Sequence, residues 1–126
     1  MTHFVRDTRL GTRQFKNEED AVKYVVSWEP RAGGSFADNE ASAARFDALA
    51  REWTPSDKTR IHQMVVRVDG EGGFAIIETD DPAALADSIY RFAPQKKYTL
   101  HPVVDYDQGL RIARKAQEFR AGVKLQ

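Results

Sequence analysis

Alternating apolar and polar positions predict four β-strands in this chain. The first is the run VKYVVSWEPR over 22–31, which has the period-two pattern of a strand with a buried face. Two more β-rich runs cover 60–68 and 73–79. The fourth, YTLHPVVDY over 98–106, contains Pro102, and proline inside a strand favours an edge position or a bulge because it donates no ladder hydrogen bond.

The segment Asp69-Gly70-Glu71-Gly72 lies between the second and third runs and predicts a β-hairpin. A two-residue turn at Gly70-Glu71 and a four-residue loop over 69–72 give the same register. One face of this hairpin is mainly apolar, and we expect helices to pack on it. The predicted pairs on that face are His62 with Thr79, Met64 with Ile77, and Val66 with Ala75.

Apolar residues at three- and four-residue spacings predict three helices. The first covers 37–53. The second begins at Pro82, where a missing N–H costs nothing in the first turn, and ends before Pro94. Asp107 is expected to cap the third, and Gly122 to end it. One face of the third helix carries Ile112, Ala116, Phe119 and Val123.

The order β-α-β-β-α-β-α predicts an α+β ferredoxin-like βαββαβ sheet with an additional C-terminal helix. Both βαβ crossovers are right-handed, so both crossover helices lie on the same face of the sheet. The opposite face then stays bare, and an exposed apolar patch of that kind usually marks an interface. We therefore expect a twofold homodimer that packs sheet against sheet. The expected interface residues are Gln63, Val65, Arg67, Phe74, Ile76 and Glu78.

Composition removes several classes of function. Nineteen Lys and Arg balance nineteen Asp and Glu, and this net charge of zero argues against a nucleic-acid partner. The chain of 126 residues is 41% hydrophobic, which suits one folded domain. Because it has no cysteine and no long apolar run, we expect a cytoplasmic protein without disulfides, thiolate chemistry or a membrane partner.

Residues 1–21 have no lasting apolar period, and we interpret them as an N-terminal appendage to a domain over 22–126. If Glu18 and Glu19 were both encoded by GAG, a purine-rich stretch would precede Val22, which a GTG start codon would encode. One hypothesis is therefore that the natural protein begins at Val22. The alternative is a flexible arm or a helix that docks on the domain.

Three strings, KYVVSWEPR, IHQMVVRVDGEGGFAIIETDDPAAL and PVVDYDQGLRIA, resemble a family of small, uncharacterised bacterial domains within the dimeric α/β-barrel superfamily. The resemblance covers roughly Val22 to Phe119 and implies a ferredoxin-like fold and a homodimer. Distant superfamily members include cofactor-independent oxygenases, muconolactone-type isomerases, polyketide cyclases and haem-degrading enzymes. By analogy, the resemblance implies a ligand cleft between sheet and helices, and we expect no cofactor.

His62 is the candidate catalytic residue, because the expected register places it at the end of the helix-facing side. Imidazole both takes and gives a proton near neutral pH, as proton abstraction from an activated C–H or a phenol requires. The alternative is a partly buried histidine that hydrogen-bonds Thr79 or a backbone carbonyl. His101 lies a whole βαβ segment away, so the two histidines do not predict a metal site.

The same cleft is expected to bind a small apolar or aromatic ligand. Tyr24 and Trp28 would form apolar walls, and Arg31 would hold a carboxylate or enolate oxygen through its planar guanidinium. The alternative is that the aromatic side chains belong to the core and the arginine is solvated. The candidate ligand-binding residues are Tyr24, Trp28, Arg31, Met64 and Thr79.

Two functional hypotheses follow from these candidates. In the first, the domain is an enzyme of the cofactor-independent oxygenase, isomerase or cyclase kind, with His62 as its proton-transfer group. In the second, it is a non-catalytic dimeric binding or protein-interaction module whose cleft is filled by its own side chains. An open cavity that reaches His62 favours the enzyme, and a closed core around it favours the module.

Overall fold

The computed structural model describes residues 18–31 and 34–124. Most of the predicted appendage, 1–17, and the centre of the predicted turn, 32–33, lie outside the described residues. A short 3-10 turn covers Glu18–Asp20. The elements that follow are β1 (Val22–Pro30), α1 (Phe36–Glu52), β2 (Thr59–Val66), β3 (Gly73–Thr79), α2 (Pro82–Phe92), β4 (Lys96–Val103) and α3 (Tyr106–Gly122).

The four strands form one sheet in the order β2-β3-β1-β4, and each neighbouring pair is antiparallel. Together with the order of the elements, this is the predicted ferredoxin-like βαββαβ fold with an additional C-terminal helix, and the prediction is confirmed. β4 is an edge strand, as the proline within it indicated. Pro102 lies opposite Tyr24 of β1, where an edge strand tolerates the missing donor.

The core lies on the side of the sheet that α1 and α2 cover. Side chains of β3 alternate, with Ala75 and Ile77 buried and Phe74 exposed, so one face of the sheet is packed and the other is open. The ring of Phe92 in α2 lies 5.3 Å from Phe46 and joins α1 to α2. The buried core cluster consists of Val26, Ile61, Ala75, Ile77 and Leu85.

Helix caps follow the sequence at α1 and α2 but not at α3. The Ser35 hydroxyl oxygen accepts a hydrogen bond from the Asp38 amide, and the Asp38 carboxylate accepts one from the Ser35 amide, which completes a capping box. Asp81 caps α2. The N-cap of α3 is Asp105, whose side chain makes no capping bond, so the prediction that Asp107 caps this helix was wrong.

The predicted pairing of the β2–β3 hairpin was also wrong. Met64 lies opposite Ala75 and Val66 opposite Gly73, two positions from the predicted register. The physical reason is the loop, which starts earlier than its glycines suggest. The Arg67 amide donates to the Gly72 carbonyl at 2.8 Å and closes a four-residue loop. A shift of two positions changes neighbours but preserves faces, so the predicted interface residues still lie on the open side.

A β-bulge in β2 moves His62 to the face opposite the predicted one. Ile61 pairs with Ile77 whereas Gln63 pairs with Ile76, so His62 is an extra residue without a partner of its own in β3. Its imidazole contacts Glu78, which alternates with the buried Ile77 and therefore lies on the open face. The predicted pair of His62 with Thr79 was therefore wrong.

No helix within residues 18–31 and 34–124 covers the second half of β2. Met64 and Val66 share the face of Ala75 and Gly73, where we expected them to pack beneath helices, yet 37% and 75% of their surfaces are exposed. The buried side chains of β2, Thr59 and Ile61, lie in its first half. The helix layer that α1 and α2 form therefore ends before it reaches the hairpin.

Thr79 joins three segments through one buried hydroxyl group. Its Oγ1–H donates to the Lys58 carbonyl at 2.6 Å, and Oγ1 accepts from the Asp81 amide at 2.9 Å. We expect Thr79→Val to lower the free energy of unfolding by about 1–3 kcal/mol, because both backbone groups lose a buried partner. Urea unfolding measures this effect. The control Thr54→Val, at an exposed position after α1, should leave the midpoint unchanged, and an equal loss in both variants would contradict the prediction.

Candidate functional site

The open sheet face has an apolar centre to which all four strands contribute. Backbone pairing places Val65 opposite Phe74, and Val25 opposite Ile76. Val65 is 44% exposed and Phe74 is 45% exposed, so a substantial apolar area faces outward. We call the following residues the apolar patch: Val25, Val65, Phe74, Ile76 and Val103.

Charged side chains gather at one end of this face. Lys23 of β1 lies opposite Glu78 of β3, and Asp105 follows β4. The bulge directs both Arg60 and His62 toward the same carboxylate, that of Glu78. These five residues, Lys23, Arg60, His62, Glu78 and Asp105, form the open-face cluster.

Three contacts join the residues of the open-face cluster into two groups, one around Glu78 and one between Lys23 and Asp105. His62 Nε2 lies 2.7 Å from Glu78 Oε1, and Arg60 Nη1 lies 3.5 Å from the same oxygen. Lys23 Nζ donates to Asp105 Oδ1 at 2.6 Å. The side chains of Arg60 and Glu78 are 18% and 20% exposed, so their pairing is partly shielded from water.

The pKa of Asp105 is lowered from its usual value, first by the hydrogen bond from Lys23 and next by the positive charge of Lys23, against a small opposing effect of desolvation. The charge of His62 adds a smaller lowering contribution to the pKa of Asp105. Asp105 therefore stays ionised to a lower pH than a free aspartate.

The His62–Glu78 contact defines one chemical role for the imidazole. An ionised carboxylate only accepts hydrogen bonds, so a neutral His62 in this contact donates from Nε2. Its Nδ1 atom is then the acceptor nitrogen, because a neutral imidazole carries one proton. The side chain of His62 is 35% exposed, which leaves part of the ring accessible. The arrangement is able to take a proton at Nδ1 while Glu78 holds the orientation of the ring.

The sheet separates His62 from the aromatic residues that we expected beside it. Tyr24 and Trp28 lie on the helix-facing side, packed against the core cluster. Burial raises the pKa of Tyr98 to about 12, and its ring lies 6.4 Å from that of Trp28, so this neighbour is a neutral core phenol. The prediction of one cleft shared by His62, Tyr24 and Trp28 was therefore wrong.

Most of the other predicted ligand-binding residues already have structural contacts. Arg31 Nε donates to the Ala93 carbonyl at 2.6 Å, which connects the end of β1 to the segment after α2. The Thr79 hydroxyl is engaged at the start of α2. Met64 is exposed, on the helix-facing side. The structure does not bring these side chains together with His62, and their ligand-binding roles stay predictions.

A depression of about 210 Å³ lies between the end of α1 and the side of α2, away from the open face. It does not reach His62, so it is not the cavity expected for the enzyme hypothesis. Within the described ranges, no three or more histidine or acidic side chains are grouped to hold a metal ion, and no helix there has the length and apolar content to cross a membrane. The depression is lined by Glu52, Trp53, Thr54, Ser56, Asp87, Ser88 and Arg91.

Sequence reasoning missed three members of the cluster: Lys23, Arg60 and Asp105. Strand alternation could have predicted the position of Lys23, because Lys23 and Val25 lie on the same face of β1. Arg60 and His62 reach the same carboxylate only because of the bulge, which the string RIHQMVV does not announce with glycine or proline. The pairing of Lys23 with Asp105 joins residues 82 positions apart and depends on the folded sheet.

Comparison with known proteins gives a family but no activity. None of the curated proteins matches this chain. A solved structure with similarity to it is a dimeric protein of unknown function and ferredoxin-like fold from Bacteroides fragilis, with 11% sequence identity and a TM-score of 0.31. That similarity covers 67% of this chain and 97% of the other. A family model matches residues 22–117, from the start of β1 into α3. The chain therefore belongs to the family described as Domain of unknown function (DUF3303).

Proposed function

We propose that this domain is a homodimeric binding module whose two copies join through the open sheet face. The observation that supports this function is the apolar patch, which crosses all four strands while both crossover helices lie on the opposite side. A contiguous apolar patch on a folded domain favours an interface, because its burial removes apolar surface from water. A twofold axis places the patch of one copy against the same patch of the other.

The charged end of the face is compatible with such an interface. Lys23 pairs with Asp105, and Arg60 and His62 pair with Glu78 within one copy. Charges that keep their partners are less costly to remove from water than single charges. The open-face cluster therefore borders the proposed interface without opposing its formation.

The mass of the protein in solution tests the homodimer. Light scattering behind size-exclusion chromatography, at several protein concentrations, should give twice the chain mass of 14.3 kDa, with dissociation on dilution. A mass of one chain at every concentration would contradict the proposed function.

A second candidate function is proton transfer to a small apolar or aromatic compound held between the two sheets. The 2.7 Å contact between His62 and Glu78 favours it, because a carboxylate that orients an imidazole leaves the other ring nitrogen as the base. In an isomerisation, Nδ1 of His62 would take a proton from an activated C–H of the compound. The protonated imidazole would return it to another carbon, and no oxidant or cofactor is required.

A ligand screen tests this second function. Phenols, quinones and small ketones are added to the wild-type chain, and a compound that binds the folded state raises its melting temperature. Nuclear magnetic resonance in D₂O then measures deuterium uptake at the acidic C–H of each hit. We expect His62→Ala to slow the uptake by about a hundredfold, the usual contribution of a general base.

The matched control is His101→Ala, because His101 lies opposite Val25 on the same open face. It should keep the wild-type rate of deuterium uptake. Equal rates in wild type and the His62 variant would contradict the proton-transfer function, as would a screen in which no compound raises the melting temperature. Neither outcome affects the homodimer, which is measured separately.

A further inference from the structure

The second half of β2 forms an apolar edge of the sheet. β2 and β4 are the two outer strands, and every residue of β2 from His62 onward is exposed. Met64, Val65 and Val66 are 37%, 44% and 75% exposed, so this edge is apolar on both faces of the sheet. An exposed apolar edge of this kind is a template on which another strand can pair.

The backbone groups of Met64 and Val66 point away from the sheet. The Arg67 amide donates to the Gly72 carbonyl, so the backbone groups of Arg67 point toward β3. Residues of an antiparallel ladder alternate between the two neighbouring sides, and Val65 therefore also points toward β3. Met64 and Val66 direct two amides and two carbonyls to the outer side, where a further strand would bond to them.

The opposite edge of the sheet is protected by the devices that natural edge strands use. The Arg31 amide donates to the Gln95 carbonyl, and the same alternation along β4 directs the backbone of Pro102 outward. Proline supplies no donor there, and Lys96, at another outward position, adds a charge. In β2 the bulge protects the first half only. The segment 63–66 contains no charge, proline or bulge, so it is the edge that is open to pairing.

A second copy of the same segment fits this edge in one register. A twofold axis through Val65, perpendicular to the sheet, pairs Met64 of each copy with Val66 of the other. Both outward residues of each copy then bond, which gives four backbone hydrogen bonds. An axis through Met64 would bring the bulge into the ladder, and an axis through Val66 would bring in Val68, which lies in the turn of the loop.

The charges near the edge also favour this register. The paired segment carries no charged side chain, so no like charges lie opposite each other. Beyond it, the hairpin loop of one copy lies beside the start of β2 in the other. Asp69 is paired with Arg67 in its own copy, so Glu71 is the loop carboxylate that lies near the partner's Lys58. Lys58 contacts Asp81 in its own copy, but its side chain is 63% exposed and accessible to a second carboxylate.

We propose that two copies of this chain pair their β2 strands antiparallel at 64–66, which joins two four-stranded sheets into one sheet of eight strands. Because α1 and α2 end before this segment, neither helix obstructs the second copy. The inference goes beyond the proposed function, since the pairing uses the edge of the sheet and leaves the open face accessible. Four hydrogen bonds make a smaller contact than the apolar patch, so edge pairing requires a higher protein concentration than the open-face homodimer.

Because the chain has no cysteine, single introduced cysteines test the register without background. An ¹⁵N-labelled Met64→Cys chain is mixed with an unlabelled Val66→Cys chain, and the mixture is oxidised mildly at high protein concentration. Each chain holds one thiol, so every disulfide joins two copies, and the label separates the mixed bridge from the symmetric bridges by mass. Both positions lie on the helix-facing side, so contact between open faces does not supply the mixed bridge.

The distances in the proposed register give the expected result. The paired positions 64 and 66 place their Cα atoms about 5.5 Å apart, whereas the two copies of position 64 are roughly 8 Å apart. A disulfide requires Cα atoms within ~7 Å. We therefore expect the mixed 64–66 bridge to form about tenfold faster than either symmetric bridge, since contact raises the effective concentration of the two thiols.

Amide hydrogen exchange of the unmodified chain is a second measurement. At concentrations where the open-face homodimer is complete, a further increase in concentration should slow exchange at the Met64 and Val66 amides about tenfold, because pairing supplies their acceptors. The matched controls are the amides of Gln63 and Val65, which point toward β3 and should exchange at the same rate throughout.

A predominant 64–66 bridge, together with slower exchange at Met64 and Val66, supports the edge pairing. Symmetric bridges that form as fast as the mixed bridge overturn it, as does exchange at both amides that is independent of concentration. Either result leaves the open-face homodimer intact, because the mass of the protein in solution measures that contact separately. A chain without the open-face contact would still form the 64–66 bridge, so the two failures are distinguishable.

Discussion

Phe74→Glu is expected to convert the homodimer into monomers at concentrations where the wild-type chain is dimeric. Phe74 lies in the apolar patch beside Val65. The twofold axis doubles each substitution, so the variant places two unpaired carboxylates in one desolvated interface. We expect Kd for the dimer to rise by at least about a hundredfold, which is ~2.7 kcal/mol. Sedimentation velocity over a dilution series measures this change.

The matched control for this experiment is Phe36→Glu. Phe36 is the first residue of α1, 80% exposed, and lies outside the sheet. This variant also replaces a phenylalanine with a negatively charged glutamate, and it should leave the Kd of the dimer unchanged. A Phe74 variant that dimerises as tightly as this control would exclude the open face as the interface. Circular dichroism of both variants verifies that each chain remains folded.

Gly72→Ala should cause the largest loss of stability, about 2–5 kcal/mol. Gly72 has a φ of +120°, where an L-residue is strained. A Cβ at this position would also overlap the carbonyl oxygen of Trp28, because the hairpin loop packs closely against the end of β1. Backbone atoms cannot move aside as a flexible side chain can. Urea unfolding measures the loss.

The variant Gly70→Ala distinguishes the backbone strain of a positive φ from the steric overlap with Trp28. Gly70 also has a positive φ, +76°, but a Cβ there has open space within 4 Å. We expect a loss of about 1–2 kcal/mol, the ordinary cost of the left-handed conformation. The difference between the two alanine variants is the contribution of the close approach to Trp28. Equal losses would show that this approach has little energetic effect.

The architecture was predictable because it depends on local periodicity and on handedness. Period-two alternation in 22–31 and 73–79 assigned side chains to faces, and two right-handed crossovers then placed both helices on one side. Pro102 indicated its edge strand in the same way. Each of these inferences uses neighbours close in sequence or a rule that holds for nearly all sheets, so few alternatives remained.

The register of the hairpin and the position of His62 were not predictable in this way. Loop closure at Arg67 and Gly72 depends on the backbone conformation of several residues together, and two loop lengths fit the same glycines. No glycine or proline in the sequence around His62 indicates the bulge. It moved the one residue with the clearest chemistry to the other face, so strict alternation gave His62 the wrong neighbours.

The bulge also has an evolutionary consequence. His62 is the only residue of β2 between two paired positions that lacks a partner of its own in β3. A related chain lacking this single residue would have Ile61 next to Gln63, and both would keep their present partners in an uninterrupted ladder. Sequence length at this point can therefore vary among descendants without repacking the interior. Deletion of one residue would therefore remove the imidazole while both neighbouring residues keep their partners in β3.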